Sequence, residues 1–401
     1  AINASFVQVS PSGFQPLIAK VRSGASVLSD ESVAALAPGD QALGEVSAIG
    51  MANMASWLIH RRTLGQPRPF AVLCPGVSGM TIDQLSKVNG QDATDRYNRF
   101  VEGVTQAHAA AAALGASHAV TAIVWMQGEY DYVTTYGSTN ATKAAYKAAL
   151  STLRADMVAD VKSITGQADD PVFILYQTGG TYTVDVDSAA TPGLHIGMAQ
   201  LEFALENPTK VVMAGPIYPV TDKGGHLDSN GSRWFGQVLA KAYVQSVIHG
   251  RRFRPVSPTR IEKTVDGKIR VHFFVPVPPL KFTLPYVVNT ATDYSGKGFR
   301  ITDSAGSVSI SSISIVSDTV VEIVPARAID EATAHVWYAP KTTFNGCGCL
   351  TDSDDALARE NYTYAAGTGM YASADIPALV GKPYPLANWA VAFHLPVGYE
   401  E

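Results

Sequence analysis

Three segments of this chain combine glycine turns with side chains able to donate a hydrogen bond or carry a proton. Pro75-Gly-Val-Ser-Gly-Met-Thr81 sets two glycines around a serine. Trp125-Met-Gln-Gly-Glu-Tyr-Asp131 joins an amide to two carboxylic acids. Thr221-Asp-Lys-Gly-Gly-His-Leu-Asp-Ser-Asn-Gly231 places a histidine between two aspartates. Brought to one edge, a glycine turn, an amide and an Asp/His pair are the equipment of acyl transfer: donors for an oxyanion, and a base held by a carboxylate. Other chemistries fit less well. Glu129 and Asp131 lie on one short segment, whereas glycoside hydrolysis needs carboxylates ~5–10 Å apart on opposite sides of a sugar ring. Asp222, His226 and Asp228 lack a second histidine at metal-site spacing, so no metal is expected. Asp228 reads as the N-cap of a following helix.

These segments each follow a strand-like run. Phe70-Ala-Val-Leu-Cys74, Ala119-Val-Thr-Ala-Ile-Val-Trp-Met126, Val172-Phe-Ile-Leu-Tyr176 and Val211-Val-Met213 are continuous and apolar, the pattern of strands buried on both faces of a parallel sheet. Helical patterns separate them. Phe100, Val104, Ala107, Ala111 and Leu114 recur at spacings of three and four, 141–164 is Ala/Lys-rich, and Trp234, Val238 and Ala242 mark a third helix face. Strand and helix in alternation imply an α/β layer, whose ligands lie beyond the carboxyl ends of the strands.

The pattern changes after Gly250. A basic connector, Arg251-Arg-Phe-Arg-Pro255, leads to alternating runs: Lys268-Ile-Arg-Val-His-Phe273, Ser309-Ile-Ser-Ser-Ile-Ser-Ile315 and Thr319-Val-Val-Glu-Ile323. Asp266-Gly267, Ala305-Gly306 and Ser317-Asp318 supply turns between them. Period-two alternation with frequent turns predicts an antiparallel β-sandwich. The expected division is an α/β domain over 1–250, a sandwich over 251–345 and an irregular extension over 346–401 that wraps back over a domain.

Composition narrows the class. Across 401 residues, 46% are hydrophobic and 16% charged, enough apolar material for large cores and unlike a disordered chain. Lys+Arg 30 against Asp+Glu 35 gives a net charge of −5 without a Lys/Arg block, which argues against nucleic acid as a partner. The most apolar stretch, 107–126, is interrupted by His108, Gly115, Ser117 and His118 and reads as a helix end, a turn and a strand rather than a membrane span. Three cysteines make no disulfide framework, and Cys74 reads as a buried small hydrophobe. The chain starts at Ala1 without a signal peptide, which leads us to expect a processed or truncated product.

Gly-Val-Ser-Gly-Met-Thr, Trp-Met-Gln-Gly-Glu-x-Asp and Asp-x-x-x-His-Leu-x-x-x-Gly resemble three of the four sequence blocks of the SGNH hydrolases, in the branch of sialate O-acetylesterase-like carbohydrate esterases. The resemblance spans roughly residues 46–247, and Trp-x-Gln-Gly-Glu is its most specific motif. It implies a three-layer, flavodoxin-like parallel sheet and no cofactor. It assigns His226 as general base, Asp222 as its orienting carboxylate, and Gly79 (backbone) and Gln127 (side chain) as oxyanion donors, with Glu129 bonding within the site. Two departures stand out. The family carries Asp three residues before His, where this chain has Lys223 and puts Asp222 four before. The family's nucleophile block, Gly-Asp-Ser or Gly-Gln-Ser after a strand, is missing between Ala1 and Val46; Ala4-Ser-Phe-Val-Gln-Val9 reads as a strand, but Ser10-Pro-Ser12 is no such turn. Block spacing places the expected serine upstream of Ala1, with Ser78 the lesser candidate and loss of the nucleophile and its central strand the alternative.

The reading is a serine hydrolase that removes O-acetyl groups from a carbohydrate or polysaccharide. The rival is a non-catalytic glycan-binding or virion structural protein that keeps the esterase fold. The sandwich and Asn388-Trp-Ala-Val-Ala-Phe393 are similar to extensions of esterase-like phage-tail and polysaccharide-modifying proteins. That similarity implies an extracellular or virion-associated protein, an acetylated glycan as partner, and assembly as a homo-oligomer or within a virion.

Overall fold

The computed structural model describes residues 47–63, 71–77, 79–88, 96–113, 115–132, 137–180, 194–367 and 370–401, preceded by three short strands, Val7–Gln8, Ile18–Lys20 and Val33–Ala35. Ser78, Leu114 and most of the segment before Ser47, including Ser10-Pro-Ser12, fall outside the described residues.

Three apolar runs form one parallel sheet in the order Ala122–Trp125, Val172–Gln177, Val211–Pro216. The whole of Val211–Pro216, and Val172–Gln177 beyond its first residue, are buried, as strands covered on both faces must be. Ala122–Trp125 alternates between buried and half-buried positions because it lies at the edge of this sheet. The run Phe70-Ala-Val-Leu-Cys74 departs from expectation. Among its described residues only Ala71–Val72 forms a strand, and it pairs antiparallel with Val7–Gln8 instead of joining the parallel sheet. Apolarity marks a run as strand-like, but it does not choose the neighbour.

The side chains of the central strands divide between two cores by the period of two. Phe173, Leu175, Val211 and Met213 join Phe100 and Val104 of helix Asn98–Ala113, Leu150 and Leu153 of Lys143–Thr165, and Ile196 of His195–Glu206. Ile174, Tyr176, Val212 and Ala214 join Met54 and Ile59 of Ser47–Thr63, with Trp234, Phe235 and Leu239 of Ser229–Tyr243. Each fully buried aliphatic side chain contributes about 1.5–3 kcal/mol, so both faces hold the sheet in place. Helix Asn98–Ala113 buries Phe100, Val104 and Ala107, as their spacing predicts. Ser229–Tyr243 buries nearly its whole circumference, beyond the single face read from Trp234, Val238 and Ala242.

Beyond Gly250 lie two four-stranded antiparallel sheets. One runs Ile310–Ser317, Val320–Pro325, Ile269–Phe274, Ser257–Lys263; the other runs Gly306–Val308, Phe299–Asp303, His335–Tyr338, Phe393–Pro396. Phe273 of the first meets Phe299 and Phe393 of the second, with ring centroids 6.5 and 6.2 Å apart. The stretch after Asn345, read from sequence as irregular, supplies Phe393–Pro396 as the strand beside His335–Tyr338. A four-residue strand is too short for its alternation to stand out. Its approach also covers the parallel sheet, because Gln177, at the end of the middle strand, exchanges hydrogen bonds with the backbone of Ala392.

Candidate active site

The end of Ala122–Trp125 leads into Gln127, whose side chain is a junction. Its Nε2 donates to Met80 O at 3.0 Å and to Asp131 Oδ2 at 2.5 Å. The Tyr146 hydroxyl reaches both its Oε1, at 3.0 Å, and its carbonyl, at 2.9 Å, and Gln200 Nε2 donates to the same carbonyl at 2.8 Å. Asp131, fully buried, also accepts from Ile82 N at 2.9 Å and Ser138 Oγ at 2.6 Å. Burial raises the Asp131 carboxyl above its ordinary range, and the Ser138, Gln127 and Ile82 bonds pull the other way. Gln127 and Asp131 thus clip the segment after Gly79 to the end of the strand.

Gly79 is exposed in a left-handed turn with φ +68°, a conformation that favours glycine. A Cβ added there would lie 3.5 Å from the Tyr130 hydroxyl oxygen. The next residues form a capping box, in which Thr81 and Gln84 satisfy each other's backbone N–H at the start of Ile82–Leu85. Gly79 directly precedes Met80, whose carbonyl accepts from Gln127.

Glu129 and Asp131 occupy a 3₁₀ turn, Glu129–Asp131, and part company there. Asp131 turns to Ile82 and Ser138, whereas Glu129 accepts the Tyr176 hydroxyl. Burial pushes the Glu129 carboxyl up, opposed by hydrogen bonds from Tyr176 and Thr178. Tyr176 is itself pushed well above the usual phenol range by burial and by the Glu129 charge.

His226 and Asp222 share a hairpin that follows the third parallel strand. Asp222 bridges antiparallel to Leu227, Lys223 N donates to His226 O at 2.8 Å, and Gly224 and Gly225 make the turn with φ +82° and +97°. The His226 side chain is exposed at this tip, while Asp222 is buried beneath it. Asp222 Oδ1 accepts the N–H groups of Gly224 at 2.6 Å and Gly225 at 3.3 Å, so it caps the turn. The backbone N–H groups of these two glycines thus hold one oxygen of the aspartate. Asp228 is the expected N-cap, accepting from Gly231 N at 2.6 Å and Thr221 Oγ1 at 3.0 Å.

Sequence reasoning passed over Asp131 as an anchor, and with it Tyr146, Tyr176 and Tyr130. The spacing of four between Gln127 and Asp131 was the available signal, because one turn of chain brings such residues together. Tyr146 and Tyr176 come from a helix and a neighbouring strand, and nothing local marks them.

Residues 60–245 match the sequence pattern of the family described as carbohydrate esterase, sialic acid-specific acetylesterase. The resemblance to carbohydrate esterases of the sialate O-acetylesterase kind is thereby shown. The matched segment of this esterase family holds Gly79, Gln127, Asp131, Asp222 and His226. A crystal structure of a novel carbohydrate acetylesterase from Xanthomonas citri is similar in fold, with TM-score 0.52 and 14% sequence identity over 86% of this chain. The chain spans 65% of that structure's length, and at this identity the likeness speaks for the fold. No curated protein matches the chain. Among the described residues no helix is long and apolar enough to cross a membrane, and no group of three or more His, Cys, Asp or Glu could hold a metal ion.

Proposed function

We propose that the protein is a serine esterase of SGNH type that removes O-acetyl groups from a carbohydrate or polysaccharide. The observation that carries this reading is the clip of Gln127 and Asp131 on the Gly79 turn, inside the segment that matches the esterase family. The two cores on either face of the parallel sheet support a three-layer arrangement, and the aromatic contacts between the antiparallel sheets support a sandwich after it.

In the reaction a serine hydroxyl attacks the ester carbonyl and His226 takes its proton. The exposed tip leaves the imidazole accessible to such a partner. Asp222, buried beneath the tip and holding the glycine turn through Oδ1, orients the imidazole. Gly79 N–H and one Gln127 N–H receive the oxyanion. Of the two Gln127 bonds, the one to Met80 O is exchanged for substrate: at 3.0 Å it is the longer, whereas the bond to Asp131 Oδ2 is 2.5 Å. Water then hydrolyses the acyl-enzyme with His226 as base again.

A fluorophosphonate probe, which labels an activated serine, tests the reading. Peptide mapping should find the label on one serine, expected ahead of Ala1, with Ser78 the alternative. His226→Ala should abolish labelling and acetyl-ester turnover while leaving the fold intact. A folded protein that includes any sequence ahead of Ala1 and shows neither labelling nor turnover would refute the esterase and favour the non-catalytic glycan-binding or virion structural protein.

A further inference from the structure

We propose that the strand Ile310–Ser317 is a docking edge for a second copy of this chain, the two copies continuing one antiparallel sheet across a two-fold axis. The proposal stands independently of the esterase reading. With eight residues, Ile310–Ser317 is the longest of the described strands, and it lies at the end of its four-stranded sheet. Among the described residues, its backbone bonds all run to Val320–Pro325. Its other side therefore presents a row of N–H and C=O groups, a template on which a further strand adds.

The opposite edge of the same sheet is closed by the chain itself. Ile261 N donates to Tyr399 O at 2.9 Å, Gly398 N to Ile261 O at 2.8 Å and Glu401 N to Thr259 O at 3.0 Å. Residues 398–401 thus run along Ser257–Lys263 and occupy its outer side. Edge strands are ordinarily protected by charge, by proline or by short length. Ile310-Ser-Ser-Ile-Ser-Ile-Val-Ser317 has none of these. Register shifts between Ile310 and Ser312 and between Ile315 and Ser317 bracket it, leaving Ser312–Ile315 in unbroken register.

The residue pattern selects a second copy as the occupant. Ile313 and Ile315 are half-buried against the core, whereas Ser312, Ser314 and Val316 are exposed. A docked strand must keep each face on its own side, because a slip of one residue would turn its isoleucines to solvent. With the axis at Ser314, Ile313 of each copy meets Ile315 of the other, and both isoleucine pairs extend the apolar floor. The two Ser314 residues meet on the outer face.

Charge agrees with this pairing. No charged residue lies within the run, so two copies bring no like charges together there. Asp318 follows the run, and antiparallel pairing sends the two Asp318 carboxylates to opposite ends. Glu322, opposite Ser314 on the neighbouring strand, is held by Lys268 at 3.1 Å and Arg270 at 3.0 Å. An uncharged, self-matching edge fits an isologous pair, in which the same patch serves both subunits.

Light scattering on size-exclusion fractions tests the proposal, using the whole protein with any sequence ahead of Ala1 included. Wild type should have the mass of two chains, falling towards one on dilution. Ser312→Lys with Ser314→Lys should give the mass of one chain with an unchanged circular dichroism spectrum, because both positions are exposed and the lysines of two copies would crowd together. Ser312→Glu with Ser314→Glu should do the same. An equal mixture of the two variants should return to the mass of two chains, since opposite charges then face each other. Wild type at the mass of one chain would overturn the proposal and leave the edge to a strand of another protein. A two-chain mass kept by the lysine variant, or a mixture left at one chain, would overturn it as well. So would wild type forming open-ended heavier species.

Discussion

Gln127 Nε2 stands 2.5 Å from Asp131 Oδ2, and the same nitrogen reaches Met80 O at 3.0 Å. One amide thus ties the end of a parallel strand to the turn that carries Gly79. It is at once a structural clip and the proposed donor to an oxyanion, and the two roles separate experimentally. Gln127→Ala takes a donor from a buried carboxylate, which should cost about 1–3 kcal/mol in urea unfolding. Loss of an oxyanion donor should also lower kcat on an acetyl ester by ~10²–10³ with little change in KM. Stability lost with turnover kept would make Gln127 a clip only. Gln127→Glu should do no better, because it sets a second carboxylate against Asp131.

Glu129 should make stability depend on pH. Its carboxyl is held above the ordinary 4.5 by burial, despite the Tyr176 and Thr178 bonds. The folded protein therefore keeps a proton that the unfolded chain releases. Its contribution is full below the unfolded value and is lost as pH rises through the folded one. Glu129→Gln, which cannot ionise, should gain on wild type as pH rises from acid to neutral. Thermal unfolding across that range measures the gain, and a difference independent of pH would count against it.

Asp228 should matter to the hairpin as well as to its helix. It accepts from Gly231 N and from Thr221 Oγ1, so it closes the loop that displays His226. Asp228→Ala should cost about 1–2 kcal/mol, the usual penalty for a lost N-cap. Gly231→Ala should be worse, because its Cβ would fall 1.9 Å from Thr221 O. Chemical denaturation of both variants checks the order, and the reverse order would refute this packing.

Asp303 should stabilise the antiparallel sheets above the acid range. Hydrogen bonds from the Arg327 guanidinium at 2.6 and 2.7 Å, helped by the backbone N–H of Asp330 and Ala305, hold its carboxyl well below the usual range. Such a group contributes above the unfolded value of 3.8 and loses that contribution as pH falls through the lower folded one. Arg327→Leu should therefore be less stable than wild type at neutral pH, with the gap closing in acid. Urea midpoints at several pH values measure this, and a gap that widens in acid would refute it.

Read alone, the sequence determined the α/β alternation, three of the four strands it assigned to a parallel sheet, the antiparallel character after Gly250 and the segments that match an esterase family. Those features are local: apolar runs, periods of two and of three to four, and short motifs are carried by neighbouring residues. Only the tertiary structure decided that Ala71–Val72 leaves the parallel sheet, that Phe393–Pro396 completes another, and that Asp222 binds its own turn. Only there, too, do Tyr146 and Gln200 meet the Gln127 carbonyl and Tyr176 meet Glu129. These are choices of partner between residues far apart in the chain. Many side chains can satisfy a strand edge or a carboxylate, and the packing of the whole fold selects which one does.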